Sequence, residues 1–111
     1  MLEVDRVHFA PYSPYEDNPQ PIGANATISA PHMHAYALEV LADHIKPGSR
    51  VLDVGSGTGY LTACFAVMVG RGGKVIGIEH IDELVNKSIQ NLNKWNAEAI
   101  KSGLIKVVGM C

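Results

Sequence analysis

Three glycines at alternate positions, Gly55, Gly57 and Gly59, separate a short apolar run, Val51-Leu52-Asp53-Val54, from a nearly all-apolar stretch over 61–69. Glycine reaches backbone conformations closed to other residues and brings no side chain, so main-chain amides in such a loop can approach a bound group closely. Strand, glycine loop and helix together open a crossover unit, and the pattern then repeats. Gly70-Arg71-Gly72-Gly73 interrupts the helix and Lys74-Val75-Ile76-Gly77-Ile78 supplies a second strand. Residues 82–99 return to helical spacing through Leu84, Val85, Ile89 and Leu92, and Leu104-Ile105-Lys106-Val107-Val108 supplies a third strand. Strands joined by helical crossovers pair in parallel, so the order βαβαβ predicts an α/β fold, the first half of a doubly wound, Rossmann-like sheet.

Residues 1–33 read differently. Pro11, Pro14, Pro19, Pro21 and Pro31, with Tyr12, Tyr15, Asn18 and Gly23, remove backbone donors and interrupt helix and strand alike, which predicts a loop-like arm ahead of a domain at 34–111. Ser29-Ala30-Pro31 reads as a helix start, with the serine hydroxyl as cap and proline in the first turn. The helix is predicted to run to Ile45, with Leu38, Leu41, Ala42 and Ile45 on one stripe, before Lys46-Pro47-Gly48 ends it. Tyr12, Tyr15 and Trp95 read most simply as packing residues, with the two tyrosines also able to touch a peptide.

Composition narrows the partners. Of 111 residues 47 % are hydrophobic and 18 % charged, with a net charge of -2, which excludes a disordered chain and a basic nucleic-acid binder. Acids among the first residues do not suit a signal peptide, and no apolar run is long enough to span a bilayer, so the expectation is a soluble, cytoplasmic protein with no membrane partner. Cys64 and Cys111 make no disulfide framework, and the sequons at Asn25 and Asn86 are read as chance matches. His32 and His34, two apart on a helix, do not share a face, and no metal site is expected.

Glu79 stands just past the second strand, about 20 residues beyond the loop, where an acid reaches ribose hydroxyls in nucleotide-binding βαβ units; the plain alternative is a surface glutamate. A dinucleotide fingerprint would need a small residue where Tyr60 stands, and a P-loop would need a Gly-Lys-Ser/Thr ending that is absent. The compact form Asp53-Val54-Gly55-Ser56-Gly57-Thr58-Gly59, with its later acid, resembles motif I of the S-adenosylmethionine-dependent methyltransferases. In that family the loop passes under the methionine part of the cofactor and the acid binds the ribose.

The resemblance narrows further with Asn25-Ala26-Thr27-Ile28-Ser29-Ala30-Pro31-His32-Met33-His34-Ala35, Leu61-Thr62-Ala63-Cys64-Phe65-Ala66 and Gly77-Ile78-Glu79-His80-Ile81. These segments look like the protein-L-isoaspartate O-methyltransferases, over about residues 5–108. The resemblance implies methyl transfer from S-adenosyl-L-methionine to the free carboxylate of isoaspartyl residues in damaged proteins. It makes Ser29 the active-site serine, under an arm covering the site, and places Ala26, Thr27, Ile28, Ser29 and His34 around the cofactor. Asp53, Gly55, Ser56, Gly57, Thr58, Glu79 and His80 join them there.

The acceptor carboxylate is already ionised at neutral pH, so the chemistry asks for positioning more than for a base, and Ser29 would orient it by hydrogen bonding. The residues alone favour a helix cap for Ser29, a reading that the resemblance reverses, and His80 is equally a solvated histidine. Family members, monomeric by expectation, carry a helical extension before this segment and continue after it with Gly-Asp-Gly and further strands. A chain ending at Cys111 would lack the acid beside the adenine, would leave residues 51–54 as an apolar edge, and would bind cofactor weakly with little turnover. A small-molecule methyltransferase and a non-catalytic, protein-binding fragment are the competing readings.

Overall fold

The structure, a computed structural model, describes residues 3–24 and 26–109. Asn25 of the first sequon and Cys111 lie outside the described residues. A short 3-10 turn at Arg6–His8 precedes β1 (Gln20–Gly23), β2 (Ala26–Ile28), α1 (Pro31–Leu41), β3 (Arg50–Val54), α2 (Tyr60–Val69), β4 (Lys74–Glu79), α3 (Asp82–Lys101) and β5 (Ile105–Gly109). The last three strands form one parallel sheet in the order β3-β4-β5. Its register runs from Arg50 against Lys74 to Val54 against Ile78, and from Val75 against Ile105 to Glu79 against Gly109.

Periodicity accounts for these elements. α2 is apolar nearly all round and is buried on most of its surface. α3 is amphipathic and turns Leu84, Ser88, Asn91, Leu92 and Ala99 inward. Close packing of α2 on the sheet demands Gly73, where an added Cβ would sit 2.3 Å from the Val69 Cβ and 2.8 Å from the Ser49 carbonyl oxygen. β3 is an edge of the described sheet, with Leu52 58 % and Val54 66 % exposed, which is the apolar edge the sequence predicts.

Three expectations for the first 45 residues need correction. The arm is not all loop: β1 and β2 pair antiparallel as a ribbon, with Pro21 opposite Thr27. A two-stranded ribbon has only edge strands, so the missing proline N–H costs no ladder bond that matters. Ile22 and Ile28 enter the same hydrophobic core as Val4, Phe9, α2 and α3. Next, α1 ends at Leu41 rather than Ile45, because Ala42 and His44 donate to carbonyls three residues back and the chain tightens into a turn. Ala42 consequently leaves the apolar stripe and is exposed, while Leu38, Leu41 and Ile45 stay half-buried against the core.

The helix cap is the third. Ala30 occupies the N-cap position, and no side chain caps from there. Asp17 takes over that function from a distance in sequence: its Oδ1 accepts the His32 amide at 3.0 Å and meets His32 Nδ1 at 2.7 Å. Ser29 is one residue too early to cap and is exposed. Tyr12 and Tyr15 are 61 % and 62 % exposed rather than packed, although the Tyr15 hydroxyl bonds Asp5 and accepts the Arg6 amide. Trp95 is half-buried and donates to the Glu3 carbonyl.

Candidate active site

The glycine loop is held from behind. Gly55 and Ser56 amides donate to the Ile78 carbonyl at 2.7 and 3.1 Å. Glu79 Oε1 accepts the Gly57 amide at 2.9 Å while Oε2 accepts the Ile81 amide at 3.1 Å. From α3, Asn91 donates to the Thr58 carbonyl at 3.2 Å. Gly59, at φ 95, starts α2 with no side-chain cap, and its missing Cβ lets Leu92 and Ser88 close to 3.4 Å. A helix N-terminus of this kind keeps unsatisfied amides beside the loop.

In front of the loop lies a cavity of about 220 Å³. Of the residues singled out in the sequence, Thr27, Ile28, Ser29, His34, Asp53, Gly55, Ser56, Gly57 and Thr58 line it. The link between β2 and α1 is thereby brought against a loop that is 26 or more residues away in sequence, from Ser29 to Gly55. Ala26, Glu79 and His80 are not in that lining. Ala26 is half-buried in the ribbon, Glu79 is 5 % exposed behind the loop, and His80 is largely solvated with Nδ1 3.4 Å from Glu79 Oε2. Ile22, Met33, Ala37, Val54, Tyr60 and Leu61 complete the wall without having been singled out as site residues. Tyr60 breaks the dinucleotide pattern, but its ring packs on the arm and α1, edge-on to Phe9 and 4.8 Å from His34.

The polar atoms of this wall are not evenly satisfied. Ser56 Oγ, Thr58 Oγ1 and the Tyr60 hydroxyl are buried with no hydrogen-bond partner among the described residues. A buried hydroxyl without a partner costs free energy, about 1–3 kcal/mol, and all three belong to residues that line the cavity, although Ser56 Oγ itself lies against Gly77 of β4. Asp53 Oδ2 accepts from Thr62 Oγ1 at 2.7 Å, and burial pushes its carboxyl up, with Glu79 adding to the rise. Burial, followed by the nearby Arg6 charge, draws His34 down to about 4. Burial likewise raises the Tyr60 hydroxyl, leaving it a neutral donor at neutral pH. A carboxylate has about four lone-pair positions; Glu79 uses two of them on backbone amides.

A glycine loop of this build at the carboxyl end of a parallel β3-β4-β5 sheet defines the class I S-adenosylmethionine-dependent methyltransferase fold. A structure of such a methyltransferase from Aquifex aeolicus is similar at 32 % identity and a TM-score of 0.56, over 66 % of this chain and 37 % of that one. Within that class, the family profile described as protein-L-isoaspartate(D-aspartate) O-methyltransferase matches residues 1–109, and the chain belongs to that family. The protein-L-isoaspartate O-methyltransferase of Caenorhabditis elegans is 55 % identical over 108 residues, covering 97 % of this chain and 48 % of its own. A crystal structure from Plasmodium falciparum, described as this methyltransferase in complex with S-adenosyl-L-homocysteine, has a TM-score of 0.93 at 42 % identity and covers 98 % of this chain and 52 % of that one. The chain thus spans about half the length of the relatives it matches.

Proposed function

We propose that this chain forms the S-adenosylmethionine-binding half of a protein-L-isoaspartate O-methyltransferase, acting on the free carboxylate of isoaspartyl residues in damaged proteins. One observation carries the reading: a single cavity joins the exposed Ser29 to the glycine loop. The cofactor, when bound, supplies an electrophilic methyl group on a positively charged sulfur. The residues fit it. The glycine loop and the uncapped start of α2 offer amides for its carboxylate, Ser56 and Thr58 line the cavity beside them, and Glu79, behind the loop, would meet ribose hydroxyls. Asp53 and Glu79 put two carboxyl groups near a site that takes a cation.

Ser29 is free for the acceptor because Asp17, not Ser29, satisfies the first turn of α1. Its hydroxyl then orients a carboxylate that already carries the negative charge, and no group on the protein needs to remove a proton. Holding two reactants in line contributes about 7–11 kcal/mol in favourable cases, so positioning suffices as the catalytic device. A second reading is a non-catalytic module that binds a protein partner through the exposed Leu52 and Val54 of β3.

Labelled methyl transfer to an isoaspartyl peptide, beside its aspartyl isomer, separates the two. We expect little transfer by the chain alone and isoaspartyl-selective transfer by a fusion to the C-terminal half of the Caenorhabditis elegans relative. A folded fusion that methylates neither peptide, or both equally, contradicts the proposal.

A further inference from the structure

Arg6 belongs to the arm, yet its side chain is fully buried, at 0 % exposure, beside the cavity wall. Its Nε donates to the Pro14 carbonyl and its Nη2 to the Ser29 carbonyl at 3.0 Å. Its Nη1 lies 2.7 Å from Nδ1 of His34, and the guanidinium carbon stands 5.0 Å from the centre of the Tyr60 ring. Among the described residues no carboxylate forms an ion pair with it; the two ion pairs found there join His32 to Asp17 and His80 to Glu79. A guanidinium has donors only and stays charged at any ordinary pH. A contact of 2.7 Å to a ring nitrogen therefore makes that nitrogen an acceptor. Nδ1 of His34 is bare and the single ring proton sits on Nε2. An imidazolium in the same place would set donor against donor and charge against charge.

We infer that Arg6 is a positioning residue of the methyl-transfer site, fixing His34 as a neutral Nε2–H donor in the cavity wall and holding the Ser29 backbone from which the serine hydroxyl projects. The inference rests on the proposed function for its purpose, though not for its geometry. A neutral donor suits a cavity that takes a carboxylate and a sulfonium together: it offers a hydrogen bond to the first without adding positive charge beside the second. The groups against His34, Arg6 from the arm and Tyr60 from α2, agree with this assignment, since neither is an acid; Asp53, which lines the same cavity, is engaged by Thr62.

Nitrogen-15 NMR of the histidine rings in the 111-residue chain reads the tautomer directly. We expect His34 as the Nε2–H form alone at pH 7, still unprotonated at pH 5, with the Nε2 resonance moving when S-adenosylhomocysteine is added. In Arg6→Met, both tautomers should appear and proton affinity should rise, burial alone still holding it below that of a free imidazole, while Arg6→Lys should restore part of the wild-type pattern. An Nδ1–H ring in the wild type overturns Arg6's control of His34 whatever the ligand does, and so does an unchanged titration in folded Arg6→Met. If Arg6→Met does not fold, the wild-type tautomer and Arg6→Lys still decide. A correct tautomer whose Nε2 resonance does not respond to saturating S-adenosylhomocysteine even in the fusion to the C-terminal half of the Caenorhabditis elegans relative overturns the purpose, and with it the proposed function, but not the geometry.

Discussion

The glycine loop and the proline-rich arm face each other across one cavity, and they are built by opposite means. The loop is set from the sheet and α3 behind it, by the Ile78 carbonyl of β4, the Glu79 carboxylate and the Asn91 side-chain amide, the last two 22 and 33 residues along the chain from their loop partners. The arm is set by a few buried apolar side chains and two polar ones, Arg6 and Asp17, that reach 28 and 15 residues along the chain to His34 and His32. A loop whose first two amides are anchored by main-chain bonds to a central strand tolerates side-chain change there. An arm held by single side chains does not. The difference assigns each wall a separate point of failure, and the cavity needs both.

The strongest way to break this comparison is Arg6→Ala. It leaves the Ser29 and Pro14 carbonyls without their donor and opens a void beside Tyr60, which should cost about 3 kcal/mol. Hydrogen exchange should then speed up across the arm and the start of α1, with β4 and β5 amides still protected. Equal loss of protection in β4 would show that the two walls are not separately held.

Acid should act through the arm side as well. His34 is held near 4 in the folded chain against about 6.5 when unfolded, so the unfolded state binds more protons between those values. Stability is therefore complete above about pH 6.5 and is lost as pH falls toward 4, by about 2–3 kcal/mol from this group. The raised Asp53 carboxyl works in the opposite direction and reduces the slope. Urea midpoints at pH 7 and pH 4.5 measure the change, and His34→Gln should flatten it.

On the loop side, Gly73→Ala drives a methyl group against Val69 and the Ser49 carbonyl. Overpacking of this sort costs about 1–3 kcal/mol, visible as a lowered urea midpoint with the arm's exchange pattern unchanged. Glu79→Ala removes the acceptor for the Gly57 amide and the lone pairs offered to ribose. Calorimetry should show at least a tenfold loss of S-adenosylhomocysteine affinity, about 1.4 kcal/mol, and unchanged affinity would remove Glu79 from the site. The smallest effect belongs to Asp17→Ala, a lost cap on an exposed turn that should fray the start of α1 and leave the loop untouched.

What the sequence discloses follows the same division. Residues 50–109 are legible because period and punctuation repeat: each strand and helix lies within two residues of its expected bounds, and the glycine loop stands where a strand meets a helix. The N-terminal segment resists because its contacts leave no periodic trace. Nothing in Asp5-Arg6 announces a buried guanidinium, and Asp17 gives no sign that it caps a helix beginning at Pro31. Ser29 reads as a cap by local pattern, and only the placement of Ala30 one residue later releases its hydroxyl. Ile22 and Ile28 carry an alternating burial that the density of prolines hides. Within the site, the loop and Ser29 are visible through motif and resemblance, whereas Tyr60 is noticed as a pattern break and not as the ring on which the arm docks.

Chemical-shift mapping of the labelled chain with S-adenosylhomocysteine tests the shared cavity most directly. The largest changes should fall on Ser29, His34, Gly55, Gly57 and Thr58 together, one group from each wall. Changes confined to the separate hollow around Arg71, Trp95 and Leu104, or none at saturating ligand, would contradict the claim that the loop and the arm enclose one methyl-donor site.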